Sequence, residues 1–147
     1  MFNVQRILYA TDFSSYSNQA YFHAIALAER YEASLTIIHV WTADSECGES
    51  HSCRVQLETI RPENLGIPVH HVFLRGDPAD ELVRYTYDAN IDLVVMGTHG
   101  RTGLERQLMG SVAEQVMREA PCSVLVVKLP KGQPRADRPS AELSGVA

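Results

Sequence analysis

Apolar positions along the chain fall into five short runs, separated by longer stretches in which they recur every three or four residues. The runs are RILYA (6–10), SLTIIHV (34–40), VHHVFL (69–74), DLVVMG (92–97) and SVLVVK (123–128). Their β-branched content marks them as strands. Several are apolar at successive positions, as in a strand covered on both faces, so strands alternating with helices predict a parallel sheet between two helical layers.

The intervening stretches carry helix punctuation. A first helix is predicted from about Tyr16 to Tyr31, with Ala20, Ala24, Leu27 and Tyr31 on one stripe and Ser14, Ser15 or Ser17 as cap. After the third strand, Asp77 is placed to cap, Pro78 to occupy the first helical position, and Asp80 and Glu81 to put negative charge in the first turn. Ala79, Leu82, Val83 and Thr86 then face the core. A last helix starts near Gly110 or Ser111, buries Ala113, Val116, Met117 and Ala120, and stops at Pro121. The segment 41–66 is mostly polar, with a short helix around Arg54 to Ile60 before Pro62. From Pro130 onward there are three prolines and no apolar period. Residues 1–129 are therefore expected to form one domain and 130–147 an extended or disordered tail.

Composition narrows the function classes. A chain of 147 residues, 45% apolar and 21% charged, suits one soluble globular domain, and no apolar run is long enough to span a bilayer. The N-terminal residues lack a basic stretch followed by a signal-peptide core, so a cytoplasmic location is expected, without a membrane role. Three cysteines at Cys47, Cys53 and Cys122 are an odd number without framework spacing, and free thiols are expected. A net charge of −5 argues against a sequence-independent nucleic-acid binder, which gains affinity by neutralising phosphates with Lys and Arg.

The candidate chemistry lies in GTHGRTGLERQLMGS (97–111). In a doubly wound sheet of strand order 3-2-1-4-5, ligands sit beyond the C-terminal strand ends where the order reverses, between the first and fourth strands. The residues following those strands are TDFS (11–14) and this loop, so Asp12 faces a glycine-rich segment. Gly97 and Gly100 would allow a tight turn and close approach. Gly110 and Ser111 would present N–H groups and a hydroxyl at a helix N-terminus, which favours phosphate, with Arg101 and Arg106 adding charge. There is no Gly-Lys-Ser/Thr, and Gly97, Gly100, Gly103 do not have dinucleotide-fold spacing. A plain connection whose glycines only serve turns accounts for the composition too.

The loop resembles the universal stress protein family, specifically its ATP-binding branch, which carries Gly, two residues, Gly, nine residues, then Gly-Ser or Gly-Thr. Gly97, Gly100, Gly110 and Ser111 match at every position. ILYATDFSSYSNQA (7–20), RGDPADELV (75–83), DLVVMGTHGRTGL (92–104) and APCSVLVVK (120–128) also look like family segments in order, so the resemblance covers most of residues 4–128. It implies a single-domain α/β fold with a five-stranded parallel sheet, helices on both faces, and a dimeric protein that binds ATP in stress responses. By position, Thr11, Asp12 and Val40 would line the adenine and ribose end with Met96 and Gly97 beneath. Gly100, Arg101, Gly110, Ser111 and Val112 would surround the phosphates. Mg²⁺ would accompany them by charge compensation without needing an all-protein site. The segment 41–66 departs from the family, many members of which have a longer amphipathic helix there.

Other candidates have plainer readings. His99 could contact phosphate, against a solvent-facing loop histidine. Asp12 could act as a base, but no dedicated catalytic set accompanies it. Cys47, His51 and Cys53 match no common zinc spacing. Cys122, at a strand start, reads as a buried inert thiol, and His70 and His71 as opposite-facing strand residues. The fifth strand, Ser123 to Lys128, would be a sheet edge open to pairing with a second copy, and in the family it commonly forms the dimer contact. The resulting expectation is a cytoplasmic homodimer that binds adenine nucleotide, has no nucleic-acid partner, and acts as a nucleotide-dependent regulator with an unidentified downstream protein. The alternatives are a slow ATPase or autophosphorylating enzyme on the same fold, or a nucleotide-free interaction module.

Overall fold

The computed structural model describes residues 3–43, 45, 48–63, 66–98 and 110–128. Along the chain, β1 (Arg6–Ala10), α1 (Ser15–Tyr31), β2 (Ser34–Trp41), α2 (Ser50–Glu58), β3 (Val69–Arg75), α3 (Pro78–Asp88), β4 (Leu93–Gly97), α4 (Ser111–Glu119) and β5 (Ser123–Val127) alternate. All strands are parallel, in the order β3-β2-β1-β4-β5. The sheet thus has the predicted 3-2-1-4-5 arrangement.

Both faces are covered, which is why the strands read as continuous apolar runs. On one face Ala20, Ala24 and Ala28 of α1 and Leu57 of α2 pack on Ile7, Tyr9, Leu35, Ile37 and Val95. Three alanines at four-residue steps let α1 lie close to the sheet. Ala28 belongs to this stripe, whereas Tyr31, expected there, is 42% exposed at the helix end. On the other face Ala79, Leu82, Ala113 and Val116 of α3 and α4 cover Leu8, Ile38, Val40, Val94 and Met96. Met117 points away from this core at 48% exposure, because Val116 already occupies the inward position and its neighbour is turned about 100° around the helix.

The caps agree with the local chemistry. Ser14 accepts from the Ser17 N–H at the start of α1, and Asp77 accepts from the Asp80 N–H before Pro78 in α3. Asp92, ahead of β4, accepts from both Gln5 N and Arg6 N at 2.9 Å and pins the N-terminal sheet edge. In the segment 41–66, α2 begins four residues earlier than Arg54, and His71 Nε2 lies 2.7 Å from the Ile60 carbonyl, tying the end of this segment to β3. Cys53 is disulfide-bonded, which corrects the expectation of free thiols; an odd cysteine count excludes only complete pairing. Cys122 is free, and burial raises its thiol pKa. The tail 130–147 lies outside the described residues. No helix among the described residues is long and apolar enough to cross a membrane.

Candidate functional site

The strand order places the C-terminal ends of β1 and β4 side by side at the centre of the sheet, with α1 leaving on one face and α4 on the other. Tyr9 is in register with Val95, and Ala10 with Ile38 of β2. One residue further on, Thr11 N donates to the Ile38 carbonyl at 2.9 Å. Thr11, Asp12, Val40, Met96 and Gly97 thereby gather at adjacent strand ends from three separate parts of the sequence. Thr11, Val40, Met96 and Gly97 are buried, and Asp12 is half-buried.

The β1–α1 turn is closely fixed. Asp12 Oδ1 accepts from Ser14 N at 3.0 Å, and Thr11 Oγ1 accepts from Phe13 N at 2.9 Å and lies 3.2 Å from Ser17 Oγ. Tyr9 extends the network by donating its hydroxyl to the Ser17 carbonyl at 2.8 Å. Burial pushes the Tyr9 pKa up to about 12, so the hydroxyl remains a donor throughout the physiological range.

On the β4 side, Gly97 is the last strand residue and pairs with Val127. It ends the run 92–97 expected as the fourth strand. Thr98 continues the pairing with an N–H donated to the Val127 carbonyl at 3.0 Å, and its own carbonyl accepts from Gly110 N. Thr98 and Gly110 are thus joined, and the chain enters α4 from the C-terminal end of β4. Gly110 is the N-cap, with φ −71° and ψ 160°, a conformation open to any residue. Among the described residues no side chain caps this helix. Its first-turn N–H groups, at Ser111, Val112 and Ala113, therefore have no intrahelical acceptor and carry the positive end of the helix dipole. Ser111 is exposed and Val112 half-buried. Of the expected site residues, His99, Gly100 and Arg101 lie outside the described residues.

The site can accept an anion at the α4 N-terminus and a polar ring or hydroxyl beside Asp12. Among the described residues no group of three His, Cys, Asp or Glu is arranged to hold a metal ion. Two residues escaped the sequence reading, His39 and Phe13. His39 is 3% exposed, its Nδ1 is 2.9 Å from the Thr11 carbonyl, and Phe13 stacks on it. A histidine inside an apolar run covered on both faces was the available signal, since a buried polar side chain needs a partner.

Comparison with known proteins agrees with this architecture. The universal stress protein MJ0531 of Methanocaldococcus jannaschii is 38% identical over 143 residues, covering 86% of this chain and 84% of that one. Among solved structures, the MJ0577 protein superposes with a TM-score of 0.75 at 29% identity, covering 87% of this chain and 98% of that one. A universal stress protein solved in complex with cAMP gives 0.67 at 25% identity, over 84% and 97% of the two chains. The model of the universal stress protein family matches residues 3–128. With that match spanning nearly all of the sheet and its helices, the chain belongs to the universal stress protein family.

Proposed function

We propose that this chain is an ATP-binding universal stress protein that acts as a nucleotide-dependent regulator in the cytoplasm. The observation that carries the reading is the meeting of the Thr11–Asp12 turn, the end of β4 and the N-terminus of α4 at the point where the strand order reverses. Open α/β sheets bind ligands at such a point. Asp12, Thr11 and Val40 would hold the adenine and ribose end, with Met96 and Gly97 forming the floor. Gly110, Ser111 and Val112 would meet the phosphates, together with Gly100, Arg101 and His99 of the loop. First-turn N–H groups without acceptors suit phosphate oxygens. Mg²⁺ would offset the triphosphate charge, held mainly by the phosphates and water. The cAMP complex of a relative supports nucleotide as the ligand class. The outer strand β5 would pair two copies into a homodimer.

Titration calorimetry with ATP, ADP and AMP in the presence of Mg²⁺ tests the reading. ATP binding that weakens in both Gly100→Ala and Ser111→Ala is the expected result. Absence of binding, or wild-type affinity in both variants, overturns the site. Sustained release of ADP from bound ATP would replace the regulator with a slow ATPase. Sedimentation at micromolar concentration tests the dimer, which a monomeric mass refutes.

A further inference from the structure

Three described non-glycine residues have positive φ: Phe13 at 67°, Glu32 at 53° and Asn90 at 53°. Glu32 caps the C-terminus of α1 and Asn90 follows α3, places where a left-handed residue is ordinary. Phe13 instead precedes a helix, and a bulky aromatic residue in that conformation persists only where its surroundings impose it.

Phe13 N donates to Thr11 Oγ1 at 2.9 Å, and the Phe13 side chain packs against His39. The Phe13 ring sits against the His39 imidazole with centroids 4.5 Å apart and planes inclined by 37°, and Phe73 backs the histidine at 6.1 Å. His39 Nδ1 lies 2.9 Å from the carbonyl oxygen of Thr11. A carbonyl oxygen can only accept, so Nδ1 carries the proton. Burial lowers the His39 pKa below its ordinary 6.5, which keeps the ring neutral and in this tautomer at neutral pH. The same imidazole thus fixes the residue before Asp12 by a hydrogen bond and the residue after it by ring contact. Asp12 is left with its backbone held on both sides and with Oδ1 engaged by Ser14 N.

We propose that His39 is a positioning residue for nucleoside recognition: its Nδ1–H and its ring face set the Thr11–Phe13 backbone so that Asp12 is presented to the adenosine part of the ligand. This rests on the nucleotide reading above and adds to it a residue that does not itself belong to the phosphate loop. The role is confined to the nucleoside end, because His39 lies on β2 and the phosphate donors lie on α4.

The test compares ATP, adenosine and inorganic tripolyphosphate as ligands of wild type, His39→Leu and His39→Asn. The Asn amide nitrogen can replace Nδ1–H as donor to the Thr11 carbonyl, whereas Leu cannot. His39→Leu is expected to weaken adenosine and ATP alike by about ten-fold and to leave tripolyphosphate unchanged, with partial rescue in His39→Asn, which restores the donor but not the ring face. Equal adenosine affinity in wild type and His39→Leu, or no rescue by Asn, overturns the proposal while leaving the nucleotide reading intact. Loss of tripolyphosphate binding to the same degree as adenosine would mean a general structural defect and overturns it too. Failure of wild type to bind ATP at all overturns the nucleotide reading itself. An arm independent of variant folding is the ¹⁵N spectrum of the wild-type histidines. His39 is expected as the Nδ1–H tautomer with ring shifts that move on adding adenosine and not tripolyphosphate; an Nε2–H tautomer, or no response to adenosine, refutes the assignment.

Discussion

Replacing Ser111 by Asp sets helix stability against phosphate binding at a single position. Ser111 is the first residue of α4, it is exposed, and no described side chain caps the helix. A carboxylate there faces the positive end of the helix dipole, worth about 0.3–1 kcal/mol to the free protein. For a domain of this size, with about 2 cal/mol/K of unfolding entropy per residue, that is a rise in Tm of roughly 1–4 °C. The same carboxylate would stand about 5 Å from a bound phosphate. At an effective dielectric constant of about 40, one pair of unit charges at that separation repels by about 1.7 kcal/mol, more than a ten-fold loss of affinity. The two effects have opposite signs, so one variant should melt higher and bind ATP more weakly. Differential scanning calorimetry without nucleotide and titration calorimetry with ATP measure them separately. A variant that melts higher and binds ATP as wild type would refute the placement of phosphates at the α4 N-terminus, since the helix charge effect would be present without any ligand charge nearby.

Further outcomes follow from the same geometry. His39 has a folded-state pKa lowered by burial, so the unfolded chain takes up a proton more readily; its contribution is complete above pH 6.5 and is lost as pH falls from there through the lowered value. Chemical denaturation at pH 7.5 and 5.5 should show that loss, and it should shrink in His39→Asn. Asp92→Ala removes the acceptor for Gln5 N and Arg6 N at the opposite end of the sheet, and is expected to cost about 1–3 kcal/mol in urea unfolding with ATP affinity unchanged. Leu35→Ala, at a fully buried position of β2, should cost about 2–5 kcal/mol by the same assay.

The order of elements and their class were legible in the sequence because both depend on local rules. Apolar runs without alternation report burial on both faces, and Asp77-Pro78 reports a helix start through capping and a fixed φ. The same rules identified Ala79, Leu82 and Thr86 as core residues, while the strand order expected of a doubly wound sheet made β5 an outer strand. Local pattern failed where the choice depended on what stands opposite. Tyr31 and Met117 fit their stripes by spacing, but the sheet surface beneath α1 and α4 is filled by Ala28 and Val116.

The sequence by itself determined the candidate ligand chemistry: a glycine-rich segment leading into a helix start, and an acidic residue after the first strand. Only the tertiary structure fixed that the Thr11–Asp12 turn and the start of α4 stand at neighbouring strand ends, because the adjacency of β1 and β4 is a property of parallel pairing between residues more than 80 positions apart. It also decided how Asp12 is held. His39 and Phe13 are separated by an entire helix, and a histidine in an apolar run and a phenylalanine before a helix carry no joint signal until the sheet brings them to 4.5 Å. A hydrogen bond and a ring contact of that range are made by folding, and spacing along the chain does not record them.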